Sequence, residues 1–135
     1  MSEMFAIAKR DDEKQIVFGW ASVAADINGF PVLDRQGDVI DVNDLEDAVY
    51  DYVLRSRSGG EMHWKESRGI GVMVESVVFT PDKMSAMGIP PGLLPYGWWI
   101  GLKITDTDVW EKIKSGQYRM FSIEGRAKRT PIKAS

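Results

Sequence analysis

WWIGLKITDTDVWEKIKSGQYRMFSIEG, residues 98–125, is the stretch that decides the fold. Its first eight residues, 98–105, are mostly apolar or β-branched and predict a strand. Asp108 and Glu111 are spaced to cap a short helix, which Gly116 ends. The apolar side of that helix is formed by Val109, Trp110 and Ile113.

Further strands are predicted on both sides of this helix. Residues 118–128 predict the last strand of the chain. Near the N-terminus, residues 4–9 and 15–25 predict two strands separated by a polar turn. Residues 71–81 predict a long strand and residues 61–64 a short one.

A longer helix is predicted after a connection over residues 26–42. Asn43 and Glu46 have the spacing of a capping box. Apolar residues then recur at helical intervals, at Leu45, Ala48, Val49, Tyr52 and Val53. Residues 81–97 hold four of the six prolines and predict a loop, because proline is poorly tolerated inside helices and central strands.

Strands outnumber helices, and most connections between strands are not helical. We therefore expect an α+β fold that is mainly β, a small β-barrel with peripheral helices rather than a parallel sheet. A length of 135 residues fits one domain, residues 1–135. The composition, 44% apolar and 27% charged, is that of an ordinary globular protein.

Composition excludes several kinds of site. There is no cysteine, which rules out disulfides, a thiolate nucleophile and cysteine zinc sites. One histidine rules out a multi-histidine metal centre within one chain. The net charge of −3 gives no general electrostatic case for nucleic-acid binding, and no run is long and apolar enough to predict a transmembrane helix. We expect neither a cofactor nor a membrane partner.

His63 and Ser122 are the residues best suited to catalysis. Neutral imidazole is the side chain that most readily accepts a proton near pH 7. Ser122 lies in a predicted strand, where serine is not preferred. Alternation along the strand places Met120, Ser122 and Glu124 on one face, opposite Phe121 and Ile123. The alternative is that Ser122 is a half-exposed strand serine without a catalytic role. The spacing of His63 and Ser122 in the chain does not decide between these two interpretations.

Two other segments invite functional readings. Asp34, Gln36, Gly37 and Asp38 resemble part of a metal loop, but the further ligands of a calcium loop are missing, so Asp38 is expected to cap or brace the turn before the helix. The 81–97 segment is a candidate interface for a partner or a second copy. Its exposed apolar residues are expected to be Leu93, Leu94, Tyr96 and Trp98.

Several blocks together resemble the XkdF-like phage serine proteases. These blocks are LDRQGDVI (33–40), EMHW (61–64), GVMVESVVFTPD (71–82) and the stretch 98–125. The last block is the most specific, with its W-x-x-G-x-K strand, D-x-x-W-x-x-I-K-x-G helix and F-S-I-x-G strand. The family is a branch of the prohead maturation proteases, related in fold to herpesvirus assemblin.

The resemblance implies a barrel of the herpesvirus protease type, with His63 as general base and Ser122 as nucleophile. It implies substrates among scaffold and head proteins, and cleavage of the enzyme itself. The location implied is the host cytoplasm, inside a phage procapsid. It also suggests that self-association switches activity on.

The identity of the third catalytic residue is left open by the sequence. In the related proteases it is an acid on a strand well after the serine, and this chain ends at Ser135. Glu124, on the predicted face of Ser122, is the tentative candidate, and Glu75 is the runner-up. A serine–histidine dyad and an acid beyond Ser135 are further alternatives, and whether the C-terminus is a native, a self-cleaved or an artificial boundary is left open.

Two rival functions remain open. One is a catalytically silent capsid-assembly or scaffold module with the same fold. The other is a small barrel that binds a partner through the 81–97 segment.

Overall fold

A computed structural model describes residues 4–33, 37–59, 71–122 and 127–129, with the backbone alone for residues 4, 56–59, 121–122 and 127–129. Seven strands are described: β1 Met4–Ala6, β2 Lys9–Asp11, β3 Ile16–Ala25, β4 Gly71–Phe79, β5 Tyr96–Ile104, β6 Tyr118–Ser122 and β7 Ala127–Arg129. The helices are α1 Val42–Gly59, α2 Pro81–Met87 and α3 Thr107–Lys114. No helix in the described ranges is long and apolar enough to cross a membrane.

Four antiparallel strands, in the order β2-β3-β5-β4, form the larger sheet. Alternate residues of β5 are buried on the inner face of this sheet, at Trp98, Ile100, Leu102 and Ile104. The predicted stripe of α1 joins the same core, with Leu45, Val49 and Tyr52 buried. The Tyr52 ring meets the Trp98 ring edge-on, with centroids 6.0 Å apart. The strand predicted at residues 98–105 and the predicted apolar stripe of α1 are therefore both confirmed.

The outer face of the larger sheet carries half-buried aromatic rings. Trp20 contacts Trp99 at 5.2 Å between centroids, and Phe18 stacks on Trp99 at 6.3 Å. Gly101 leaves room for the Phe18 ring, since an added Cβ would lie 2.9 Å from its Cε1 atom. Glu75, paired with Gly101 across the strands, also lies on this outer face.

The N-terminal segment joins the larger sheet to a smaller sheet with the order β1-β6-β7. The N–H of Ile7 donates to the Arg119 carbonyl at 3.0 Å, and the next N–H, of Ala8, donates to the Phe18 carbonyl at 2.7 Å. These consecutive N–H groups thus donate to different sheets, the first to β6 and the second to β3. Residues 4–11 therefore act as one bent strand shared by both sheets. This corner is possible because β1 crosses the inner face of β3 at Gly19, where the Phe5 ring and the Ala6 carbonyl occupy the space of a side chain.

The expected α+β fold, mainly of strands, is confirmed. The expected closed barrel is not confirmed. Within the described ranges β4 and β7 are the outer strands, and hydrogen bonding runs from one to the other through the bent N-terminal segment without closing.

The 81–97 loop prediction was wrong for its first half, which contains α2. Pro81 stands in the first turn of α2, where its missing N–H costs nothing. Thr80 caps this helix by accepting the Lys83 N–H at 3.1 Å, and Gly88 ends it with φ of 77°.

Both predicted caps were displaced by two residues. Asp41, not Asn43, begins α1: its side chain accepts the Asn43 N–H at 2.8 Å and its carbonyl accepts the Leu45 N–H at 2.9 Å. Asp106, not Asp108, caps α3 through the Val109 N–H at 3.0 Å. Asp38 is therefore not the capping residue of α1.

The single strand predicted over residues 118–128 was also wrong. It is two antiparallel strands, β6 and β7, with Phe121 opposite Ala127. The short strand predicted at residues 61–64 lies outside the described residues.

Candidate functional site

Ser122 is the last residue of β6, the middle strand of the smaller sheet. On one side its Cα pairs with Met4 of β1, and the preceding pair is Phe121 with Phe5. Phe5 is 1% exposed and belongs to the core. The backbone of the predicted nucleophile is therefore held by a strand that is itself anchored in the interior.

Helix α3 fixes where β6 begins. Trp110 and Ile113 bury one side of the helix, as predicted. Gly116, with φ of 83°, then reverses the chain directly into β6. The Lys112 ammonium lies 5.5 Å from the centroid of the Tyr118 ring, which ties the helix to the start of the strand.

The described residues give no distances between the predicted catalytic side chains. His63 and Glu124 lie outside the described residues, and only the backbone of Ser122 is described. Their roles, and the orientation of Ser122, stay predictions. The same holds for Asp34 and Gln36 of the metal-loop segment.

Among the described residues of β4 are Ser76 and Glu75, the runner-up for the third catalytic residue. The Ser76 hydroxyl accepts a hydrogen bond from the indole Nε1 of buried Trp98 at 2.9 Å, so this strand serine has a structural contact. Glu75 is exposed on the outer face of the larger sheet, whereas β1 crosses the inner face. His63 lies outside the described residues, so the role of Glu75 as runner-up for the third catalytic residue stays a prediction.

A charged cluster that sequence reasoning missed links α1 to α2. Lys83 Nζ lies 2.7 Å from Glu46 Oε2 and donates to the Tyr50 hydroxyl at 3.2 Å and to the Val78 carbonyl at 2.8 Å. The Lys83 hydrogen bond holds the pKa of Glu46 below its usual value, against partial burial. Burial alone would lower the pKa of Lys83, but its bonds to Glu46 and Tyr50 outweigh this and raise it.

The cluster braces the two helices rather than forming a reactive site, since each charge is already matched. Glu46 and Lys83 are 37 positions apart in the chain, and no local pattern links them. Only the folded arrangement brings them together.

The predicted interface in residues 81–97 is corrected at one position. Leu93 is 65% exposed, and Leu94 and Tyr96 are half-buried. Trp98 is 1% exposed and belongs to the core, so it is not available to a partner.

A groove runs beside β6, with a volume of about 430 Å³. We call it the β6 groove and define it by its apolar walls, Ile7, Ile113, Tyr118 and Met120, and by two arginines, Arg10 and Arg119. Met120, on the face predicted for Ser122, is half-buried in it. The groove was not predicted, because it needs the bent N-terminal segment, α3 and β6 together.

The family described as "Putative phage serine protease XkdF" matches residues 3–131. The chain belongs to this family. The match contains every element described above, together with His63, Ser122 and Glu124.

The chain is also similar to two proteins of Bacillus subtilis (strain 168). The chain is 29% identical to phage-like element PBSX protein XkdF over 116 residues, 86% of this chain and 38% of the relative. It is 27% identical to "Uncharacterized protein YqbD" over 126 residues, 93% of this chain and 35% of that protein. The chain thus spans just over a third of the length of these curated relatives. No solved structure matches the chain.

Proposed function

We propose that this chain is the peptidase domain of a phage prohead maturation enzyme, a serine endopeptidase. The observation that carries the proposal is the family match over residues 3–131, which includes both His63 and Ser122. The position of Ser122 at the end of a strand anchored through Phe5 supports it, because a nucleophile needs a rigid backbone.

The chemistry is acyl transfer. His63 accepts the proton of the Ser122 hydroxyl as its oxygen attacks the scissile carbonyl carbon. His63 then returns the proton to the leaving amine, and water hydrolyses the acyl-enzyme in a second cycle. Glu124 would orient the imidazole and stabilise its protonated form.

The proposed substrates are scaffold and capsid proteins inside the procapsid in the host cytoplasm, and the enzyme itself. Self-association through the surface around Leu93, which is 65% exposed, is part of the proposal. Neither a cofactor nor a metal takes part.

The test is covalent labelling with a fluorophosphonate probe, followed by mass-spectrometric mapping of the modified residue. Ser122 should be labelled in the wild-type protein. Ser122→Ala and His63→Ala should abolish labelling with unchanged circular dichroism, because neither residue is proposed to hold the fold.

Ser115→Ala is the matched control. Ser115 is an exposed serine between α3 and β6, and its hydroxyl donates to the Lys112 carbonyl at 3.0 Å. Its loss should leave labelling unchanged. If the folded, assembled protein is not labelled at Ser122, the proposal is wrong and the silent assembly module is favoured.

A further inference from the structure

The walls of the β6 groove are apolar. Ile113 is buried at its base, and Ile7, Tyr118 and Met120 are half-buried along its sides. These side chains come from three elements that pack against one another, so the groove is a built feature of the fold. A groove with such walls favours an apolar side chain.

The edge of the groove is cationic. Arg10 donates to the Lys114 carbonyl at 3.4 Å, but its charge is matched by Asp12, 2.6 Å away. Arg119 donates from Nε to the Gly116 carbonyl at 3.2 Å. No carboxylate among the described residues lies within ion-pair distance of Arg119, which leaves this guanidinium able to receive one from a ligand.

The groove is aligned with the proposed nucleophile. Residues of a strand are about 3.4 Å apart, so Met120 lies about 7 Å from Ser122 along β6 and Tyr118 about 14 Å. An extended peptide has nearly the same rise. A side chain in the groove would therefore belong to a substrate residue about two to four positions from the scissile bond.

We propose that the β6 groove is a substrate-binding subsite that selects an apolar residue next to an acidic one. The apolar side chain packs on Ile7 and Met120, and the neighbouring carboxylate pairs with Arg119. This inference rests on the proposed function, since it places the subsite relative to Ser122.

The first experiment measures binding without cleavage. It uses the Ser122→Ala protein with ¹³C-labelled methionine methyl groups, followed by NMR. Two blocked hexapeptides are titrated, one alternating Leu and Asp and the other alternating Leu and Lys. The Leu-Asp peptide should shift the Met120 methyl signal, and the Leu-Lys peptide should bind about tenfold more weakly.

Arginine variants test the charge. Arg119→Gln should weaken binding of the Leu-Asp peptide by about three- to tenfold. Arg119→Glu should reverse the preference toward the Leu-Lys peptide, a gain that a misfolded variant would not show. Arg55→Gln is the matched control, because Arg55 is an exposed arginine on α1, paired with Asp51 at 3.0 Å.

The second experiment separates this inference from the proposed function. The wild-type protein and Arg119→Glu are incubated with a proteome-derived peptide library, and the cleavage sites are sequenced by mass spectrometry. Sites should carry an apolar residue about two to four positions from the cut, with Asp or Glu next to it in the wild type and Lys or Arg next to it in Arg119→Glu.

The outcomes are distinct. Ser122-dependent cleavage with no acidic preference, or an unchanged preference in Arg119→Glu, overturns the subsite alone. Charge-selective binding at Met120 without Ser122-dependent cleavage overturns the proposed function and leaves a peptide-binding groove. Equal binding of both peptides, or no shift at Met120, overturns the inference whatever the protease result.

Discussion

Gly19→Ala tests the corner at which the two sheets meet. The added methyl would lie 2.6 Å from Cδ2 of Phe5 and would also overlap the carbonyl oxygen of Ala6. Carbon atoms normally pack about 3.5–4.0 Å apart. The Phe5 ring must therefore retreat by about 1 Å, and the backbone of β1 must move with Ala6.

The energetic cost follows from these overlaps. Overpacking of a core typically costs about 1–3 kcal/mol, and a backbone carbonyl cannot rotate away as a side chain can. Replacing glycine inside a strand recovers about 0.5–1 kcal/mol. We expect the free energy of unfolding to fall by about 2 kcal/mol, which lowers the folded-to-unfolded ratio about thirtyfold.

Urea unfolding followed by tryptophan fluorescence and far-UV circular dichroism measures this loss. Gly101→Ala is the control in the neighbouring strand, because the three atoms nearest its added methyl all belong to side chains, two in the half-buried Phe18 ring and one the Cβ of Glu75 at 3.3 Å. It should cost less than about 1 kcal/mol. Fluorophosphonate labelling of Ser122 should also fall in Gly19→Ala, since β1 positions β6.

The reasoning is refuted if Gly19→Ala is as stable as the wild-type protein or as Gly101→Ala. A destabilised Gly19→Ala that labels at the wild-type rate under folded conditions would refute only the link from β1 to the nucleophile.

Three further predictions concern single side chains. The lowered pKa of Glu46 means that its bond to Lys83 stabilises the protein above about pH 4.5 and is lost as the pH falls through the folded-state value. Glu46→Gln should lower the unfolding free energy by about 1 kcal/mol at pH 7, and the difference from wild type should shrink in urea titrations at pH 3.5. Glu124→Gln should slow peptide cleavage by about a hundredfold or more if this residue orients His63, and Glu75→Gln should change it little; equal activity in all three proteins would indicate a dyad or an acid beyond Ser135. Leu93→Asp should abolish concentration-dependent self-association in light scattering, and a wild-type protein that stays monomeric while active would contradict that interface.

The sequence was most informative where a pattern is local. The β-prone run at residues 98–105 and the helical spacing of Leu45, Val49 and Tyr52 each depend on residues close in the chain, and both predictions were confirmed. The loop prediction at Pro81 failed because it relied on the number of prolines. It did not consider that proline is well tolerated in the first turn of a helix. The single strand over residues 118–128 failed because β6 and β7 are both β-prone, and local propensity does not show that they pair with each other as separate antiparallel strands.

The site was less predictable from local patterns than the core. Pairing of Ser122 with Met4 and assembly of the β6 groove from three elements depend on tertiary contacts that no spacing reveals. Recognition of the family supplied His63 and Ser122 where bare chemistry did not separate them from structural residues. The catalytic geometry of those side chains stays a prediction.

The pairing of β1 with β6 has a consequence for the nascent polypeptide. β1 is synthesised well before β6 and must wait for it, because Met4 and Ser122 are partners in the same ladder. Closing so long a loop is entropically costly and slow, so the smaller sheet forms late. If Ser122 is the nucleophile proposed above, a chain still in translation would lack the strand that carries it and could not cleave other proteins prematurely.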